Sequence, residues 1–262
     1  MLRLITANLN GIRAAARKGF FSWAQEQQAD VICLQELKAQ ESDLEALAFA
    51  LPGYQGYYHC ATKKGYSGVG ILSRHQPGKI IKGLGWVTAD EEGRYLQLDF
   101  DQLSIVSLYL PSGTSGEDRQ AVKYDFMERY EKHLKRLRNE KREFIICGDW
   151  NIAHTQRDLK NWRANQKNSG FLPEERAWMD KLFGSSFGFV DAFRVINQEP
   201  DQYTWWSYRS RKAWDQNVGW RIDYQIITPG LKTTVKAAFI YRDKRFSDHA
   251  PLVMDYKARR FL

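Results

Sequence analysis

The chain has 262 residues, 43% hydrophobic and 27% charged, with 39 Lys and Arg against 31 Asp and Glu, a formal net charge of +8. These values exclude a disordered or fibrous chain and leave room for one large α/β or sandwich-type domain. Three widely spaced cysteines form neither a disulfide framework nor a zinc pattern, and no stretch has the length of a membrane span.

In chain order, apolar strand-like runs occupy 2–7, 31–35, 68–73, 95–100, 104–110, 144–147, 222–228 and 235–241. Helical periodicity appears over 18–28. It returns from Asp118, where Val122, Phe126, Tyr130, Leu134 and Leu137 mark one apolar face. A third helix opens at Pro173, with Glu174 and Glu175 in its first turn. Cys33 and Cys147 fall inside strands and read as small buried thiols. No linker or composition break divides the chain, so a single domain over 1–262 is expected. The N-terminus lacks a signal-peptide h-region, so a reducing, cytoplasmic setting is expected. Many strands with a few long helices fit an α/β (α+β) sandwich of two packed sheets flanked by helices.

Four runs end in polar residues able to do chemistry: "LITANLNG", "VICLQELK", "FIICGDWN" and "WRIDYQII". Active sites are commonly assembled from such strand ends on one rim of a rigid scaffold. Asn8 and Asn10 beside Gly11 suit either an Asx-type turn or a ligand. Glu36 follows a strongly apolar run and suits either a solvated charge or a cation ligand. Asp149 and Asn151, two apart, face the same side of an extended backbone. In "FSDHAP", Asp248 and His249 are adjacent. Asp223 interrupts an apolar strand, and is the best partner for fixing the tautomer of His249. The candidate ligands are oxygen-rich, which favours Mg²⁺ or Mn²⁺ over zinc. With the basic balance, they point to phosphoester hydrolysis.

Seven of the nine tryptophans lie between Trp150 and Trp220. "YTWWSYRSRKAW" interleaves Trp205, Trp206 and Tyr208 with Arg209, Arg211 and Lys212, a composition suited to stacking on bases or packing on sugars beside phosphates. Adjacent Trp205 and Trp206 are not expected to share one core. By contrast "KHLKRLRNEKR" reads as the solvated face of the second helix.

The ordered set "ANLNGIR", "QELK", "GYSGVGILS", "YLPSG", "GDWNIAH", "NQKNSGFLPEER", "YTWW", "NVGWRIDY" and "FSDHAP" resembles the exonuclease III family of abasic-site endonucleases, in the DNase I-like endonuclease/exonuclease/phosphatase superfamily. The resemblance runs essentially end to end. It implies a four-layer α/β/β/α sandwich, and a monomer cutting duplex DNA 5′ to abasic sites to leave a 3′-hydroxyl. Repair of blocked 3′ ends and 3′→5′ exonuclease action are implied side activities. Glu36 would be the principal Mg²⁺ ligand (Mn²⁺ being the alternative ion), with Asn8, Asn10 and Asp248 nearby and Asp149 and Asn151 at the edge of the metal site. Asp149 would move a proton, either from the attacking water or to the leaving oxygen. Asn151 would orient the phosphate, which His249, paired with Asp223, and Tyr109 would also contact. Asn165 and Asn168 would hold the phosphate and the flipped nucleotide, while Trp205, Trp220 and Ile222 would wall the pocket for a baseless sugar. Arg119 is the first base after the loop 112–118, where a DNA-contacting arginine is sought.

Departures from the family pattern are Asn10 for Asp, Ser112 after "YLP" and Leu37 for Thr. "GLGW", "KNWR", "ERAW" and "TPGL" also resemble a catabolite-repression control branch that shares the fold, lacks catalytic residues and acts as an RNA-associated regulator. The discriminator is the catalytic set, and Glu36, Asp149, Asn151, Asp223, Asp248 and His249 are all present here. A phosphatase of inositol phosphates or sphingolipids is disfavoured by the Trp–Arg cluster and the basic balance.

Overall fold

The computed structural model describes residues 1–44, 49, 51–210 and 212–258. Arg211, part of the aromatic–cation run, lies outside the described residues. Among the described residues, twelve strands form two six-stranded sheets. The first contains β1 (Leu2–Asn8), β2 (Val31–Gln35), β3 (Gln55–His59), β4 (Val69–Ser73), β11 (Val235–Ile240) and β12 (Leu252–Tyr256) in the order β11-β12-β1-β2-β4-β3. The second contains β5 (Lys79–Lys82), β6 (Tyr95–Asp99), β7 (Leu103–Tyr109), β8 (Glu143–Asp149), β9 (Val190–Asp191) and β10 (Asp223–Ile227) in the order β5-β6-β7-β8-β10-β9. Each sheet is mixed around one parallel pair, β1–β2 and β7–β8.

Period-two alternation sorts the side chains into layers. Leu4, Cys33, Ile71, Leu98, Ile105, Ile145 and Cys147 fill the space between the sheets. Ile5, Ile32, Leu72 and Val253 point the other way, under α1 (Ile12–Arg17) and α2 (Phe20–Glu26). Val106, Phe144, Ile146 and Ile226 meet the second flanking layer, where Phe126, Tyr130 and Leu134 of one long helix (Glu117–Asn139) pack beside Met179 and Leu182 of another (Pro173–Phe183). The architecture is therefore the four-layer α/β/β/α sandwich. The long helices begin within one residue of their expected starts, carrying acids in their first turns.

The segment expected as one helix over 18–28 differs. Gly19 takes a left-handed φ of +86° and separates α1 from α2. The edge strands β3 and β5 gave no apolar run, because their residues are exposed or only partly buried. Trp150, which alternation turns away from Asp149 and Asn151, packs edge-on to Tyr130 in the outer core. Within the "KHLKRLRNEKR" run, Lys132 and Lys135 pair along the helix with Glu128 and Glu131, which fits a solvated face. No helix among the described residues is long and apolar enough to cross a membrane.

His133, on the buried side of Glu117–Asn139, accepts from or donates to the Tyr95 hydroxyl at 3.2 Å and lies 2.9 Å from an Arg136 nitrogen. Burial, with help from Arg136, pushes its pKa down to about 4. A histidine depressed in the folded state supports stability above its ordinary pKa and loses that support as pH falls toward the folded value. Up to about 3 kcal/mol of unfolding free energy should therefore disappear between pH 6.5 and 4 through this group. Urea unfolding of wild type and His133→Gln across that window checks it; identical pH slopes would refute the assignment.

Candidate active site

The parallel pairs β1–β2 and β7–β8 all end on one rim, and this sets the site. Asn8 closes β1, Glu36 follows β2, Tyr109 closes β7 and Asp149 closes β8, with Tyr109 and Asp149 in register. β10 runs antiparallel to β8 and enters the sheet at this same rim, so its first residue, Asp223, lies directly opposite Asp149. Like charges facing each other across a ladder destabilise a sheet. Both carboxylates are nevertheless buried, at 1% exposure each.

His249 joins them. Its Nδ1 is 2.8 Å from Asp223 Oδ2 and its Nε2 is 3.9 Å from Asp149 Oδ2. Burial opposes a charged ring, but the Asp223 carboxylate and its hydrogen bond override it and raise the His249 pKa to about 10. The imidazolium therefore neutralises part of a paired-acid cluster. Asp149 Oδ2 accepts from Asn8 Nδ2 at 2.9 Å and Oδ1 from the Asn151 N–H at 2.9 Å. Burial and the facing Asp223 still push the Asp149 carboxyl well above the ordinary carboxylate range. Such a group can both take and give a proton near neutrality. Gly148 before it is obligatory, since a Cβ there would lie 2.1 Å from the Leu108 carbonyl oxygen.

A second group of polar atoms adjoins the first. Asn10 Nδ2 donates to Asp248 Oδ1 at 2.8 Å, and the Trp205 indole donates to Asp248 Oδ2 at 3.0 Å. Burial resists ionisation of Asp248, but His249 and these N–H donors outweigh it and hold its pKa below the ordinary value. Lys38 Nζ lies 3.0 Å from Glu36 Oε1 and 2.5 Å from Asn10 Oδ1. The hydroxyl of Tyr109 feels the charges of both groups: burial first, then Glu36 and Asp149, push its pKa far up. Asn10, Glu36, Lys38 and Asn151 all adopt left-handed φ, between +45° and +56°. Non-glycine residues held in this region carry strain that tends to gather at functional sites.

The apolar wall lies alongside. Trp205 and Trp220 meet edge to face at 6.3 Å and pack with Ile222, Phe171 and Ala153. Trp205 also bridges to His249 through the backbone, which ties this wall to the acids. Trp206 turns the opposite way, fully buried beneath Arg242, whose guanidinium lies 4.8 Å from its ring. The two adjacent tryptophans therefore do serve different environments, and only Trp205 faces the site. Asn165 and Asn168 bond to each other on a turn above the wall. Arg119 is paired with Glu92 at 3.1 Å and bonded to the Tyr66 hydroxyl, partners it shares with Arg94 beside Tyr109. No hydrogen bond among the described residues links it to the acids.

Sequence reasoning missed three contributors. Buried Arg94 stacks 4.8 Å over the Tyr109 ring and donates to the Tyr109 carbonyl. The Thr204 hydroxyl accepts the N–H groups of Ile222 and Asp223, fixing the entry to β10. Lys38 and Thr204 stood inside the quoted "QELK" and "YTWW", and only their contacts with Asn10 and with Ile222 and Asp223 revealed their places. For Arg94 no local signal existed.

Residues 5–249 match the Endonuclease/Exonuclease/phosphatase family. The chain is 38% identical to the exodeoxyribonuclease of Bacillus subtilis over 96% of this chain and 98% of that one. It is 33% identical to the DNA repair nuclease APEX1 of Danio rerio, over 97% and 81%. The structure of an AP endonuclease from Archaeoglobus fulgidus superimposes with a TM-score of 0.89 at 26% identity, covering 98% and 100% of the two chains. Fold and rim together define a hydrolytic enzyme of the nuclease class. The chain belongs to the endonuclease/exonuclease/phosphatase family, in its exonuclease III branch of abasic-site endonucleases.

Proposed function

We propose that this enzyme is a divalent-cation-dependent DNA repair nuclease that cleaves duplex DNA 5′ to abasic sites, leaving a 3′-hydroxyl, and that it also trims blocked 3′ ends and degrades 3′→5′. The observation that carries the reading is the joining of the Asp149–His249–Asp223 cluster to the Trp205–Trp220–Ile222 wall. A phosphate placed on the cluster would have its baseless sugar at the wall, and a nucleotide without a base has already lost its stacking energy.

Glu36, Asn8, Asn10 and Asp248, with Asp149 and Asn151 at the edge, offer only oxygen ligands once the amides turn, a hard-cation set suited to Mg²⁺ or Mn²⁺. The ammonium of Lys38 resting on Glu36 and Asn10 supports the fit, since this pocket already holds positive charge. When bound, the cation would neutralise charge on the phosphate oxygens. The chain's own residues do the rest. Asn151 and Tyr109 orient the phosphate, and the His249 imidazolium hydrogen-bonds a non-bridging oxygen where negative charge grows. Asp223 keeps that ring charged and aimed. As water attacks phosphorus and the P–O3′ bond breaks, Asp149 serves one of two proton transfers: it takes the proton from the attacking water or gives one to the departing O3′. Asn165 and Asn168 hold the backbone beside the extruded sugar, and Arg119 reaches DNA only after release from Glu92. The protein acts as a cytoplasmic monomer of one domain.

A duplex oligonucleotide with one tetrahydrofuran residue tests the reading. With Mg²⁺ the expected product is a single nick 5′ to the lesion with a 3′-hydroxyl, and EDTA should reduce it to background. An intact duplex with either Mg²⁺ or Mn²⁺, together with binding to A-rich RNA, would replace this reading by that of an RNA-associated regulator.

A further inference from the structure

The two helices of the outer layer share a fully buried ion pair. Lys123 and Glu175 are each 0% exposed, with Nζ and Oε1 2.5 Å apart. Taking both charges out of water is costly, and an apolar pair of similar volume often serves stability as well or better. Stability therefore does not explain the pair, but its other contacts do. Lys123 Nζ also donates to the backbone carbonyl of Asn151 at 2.8 Å. Glu175 Oε2 accepts the N–H of Gly170 at 2.6 Å and of Leu172 at 3.0 Å, and Oε1 accepts from the side chain of Gln120. One end of the pair thus grips the second residue after β8, and the other grips the turn that follows Asn165 and Asn168.

Both gripped segments need holding. Asn151 has φ +51° and Gly170 φ +94°. They touch, since a Cβ on Gly170 would lie 3.1 Å from Asn151 O and 3.2 Å from the Trp220 ring. Ala153 donates to Gly170 O at 2.8 Å, closing the seam between the two segments. Asn151 is fixed from the rim by Asp149 and by the Leu110 carbonyl, which accepts from its Nδ2. Lys123 supplies the tether from behind.

We infer that Lys123 and Glu175 are positioning residues for catalysis: the pair sets the spacing between Asn151, on the phosphate, and the Asn165–Asn168 turn, over the extruded nucleotide. The inference rests on the role proposed above for Asn151. A buried cation bonded to a carbonyl fixes peptide orientation in a way that an apolar side chain does not, and displacements of about 1 Å in such a site can cost ~100-fold in rate.

The test is the double variant Lys123→Met/Glu175→Leu, which removes both charges and leaves neither uncompensated. Its melting temperature should fall by several degrees, because the Gly170 and Leu172 N–H groups and the Asn151 carbonyl lose their partners, but the chain should still fold. Its kcat for nicking should fall about 10- to 100-fold, with KM changed less than about threefold. Amide hydrogen exchange at Asn151 and Ala153 should quicken. A purely packing role predicts wild-type kcat once packing is restored, and that result, or unchanged exchange at those two amides, overturns the inference. If the double variant does not fold, Glu175→Gln decides. Its amide places an NH₂ against either Lys123 or the Gly170 and Leu172 donors, so kcat should fall with KM held, and an unchanged kcat overturns the inference. Failure of the wild type itself to nick would sink the proposed function instead, and the exchange comparison would then decide the positioning role alone.

Discussion

Asp149→Asn should lower kcat for abasic-site nicking by about 1,000-fold, the middle to upper range of what a positioned proton-transfer group contributes. The substitution is nearly isosteric, but it removes the charge and the exchangeable proton. It also places an NH₂ where an oxygen accepts from either Asn8 Nδ2 or the Asn151 N–H. Binding should suffer little, because Asn151, Tyr109 and the tryptophan wall remain, so KM should change far less than kcat. The folded state should not weaken. A carboxylate that burial and a facing acid hold above its usual pKa is a liability for stability, and the amide relieves it. Single-turnover nicking beside a thermal melt separates these effects. Near wild-type cleavage by the variant would remove Asp149 from proton transfer.

The position of Asp149 on the rim was legible in the sequence for a physical reason: an apolar strand that ends in an acid and an amide two residues apart has no packing use for them. Asp223 was legible likewise, because a charge interrupting "WRIDYQII" needs a partner, and His249 lies 2.8 Å away. The register that sets Asp223 opposite Asp149 could not be read, because strand pairing is a long-range property fixed by the whole sheet. Arg94 escaped notice for the same reason: its functional contact is with Tyr109, across β6 and β7. The edge strands Gln55–His59 and Lys79–Lys82 lacked apolar runs because none of their residues is fully buried. Lys123 was hidden by its setting. Nothing in the sequence singled it out, and only tertiary packing shows it at 0% exposure.

Asp158→Asn should have the largest effect on stability, because Asp158 is the anion between two buried guanidinium groups. Its Oδ1 accepts from Arg194 and from Arg221, each at 2.8 Å, while Oδ2 accepts from the Thr155 N–H and hydroxyl. Arg221 also pairs with Asp191 at 2.7 Å and lies 4.4 Å over the Tyr224 ring. Burial alone would raise the Asp158 carboxyl, but the two arginines hold it well below the usual range. A depressed carboxylate contributes stability that is present above its unfolded pKa, near 4, and lost as pH falls through the folded value. Removing the charge leaves two cations facing Asp191 alone. Breaking a buried pair in this way costs about 3–5 kcal/mol, or about 10 °C in melting temperature for a chain of this size. Arg221 stands between Trp220 and Ile222, so what loosens is the pocket wall rather than the acid cluster. In the surviving folded enzyme KM for abasic DNA should therefore rise more than kcat falls, the reverse of the Asp149→Asn pattern. Urea unfolding at pH 7 gives the first result and steady-state nicking the second. A loss below about 1 kcal/mol would mean that solvent or Asp191 compensates the arginines, and the network would then not be what holds the wall in place.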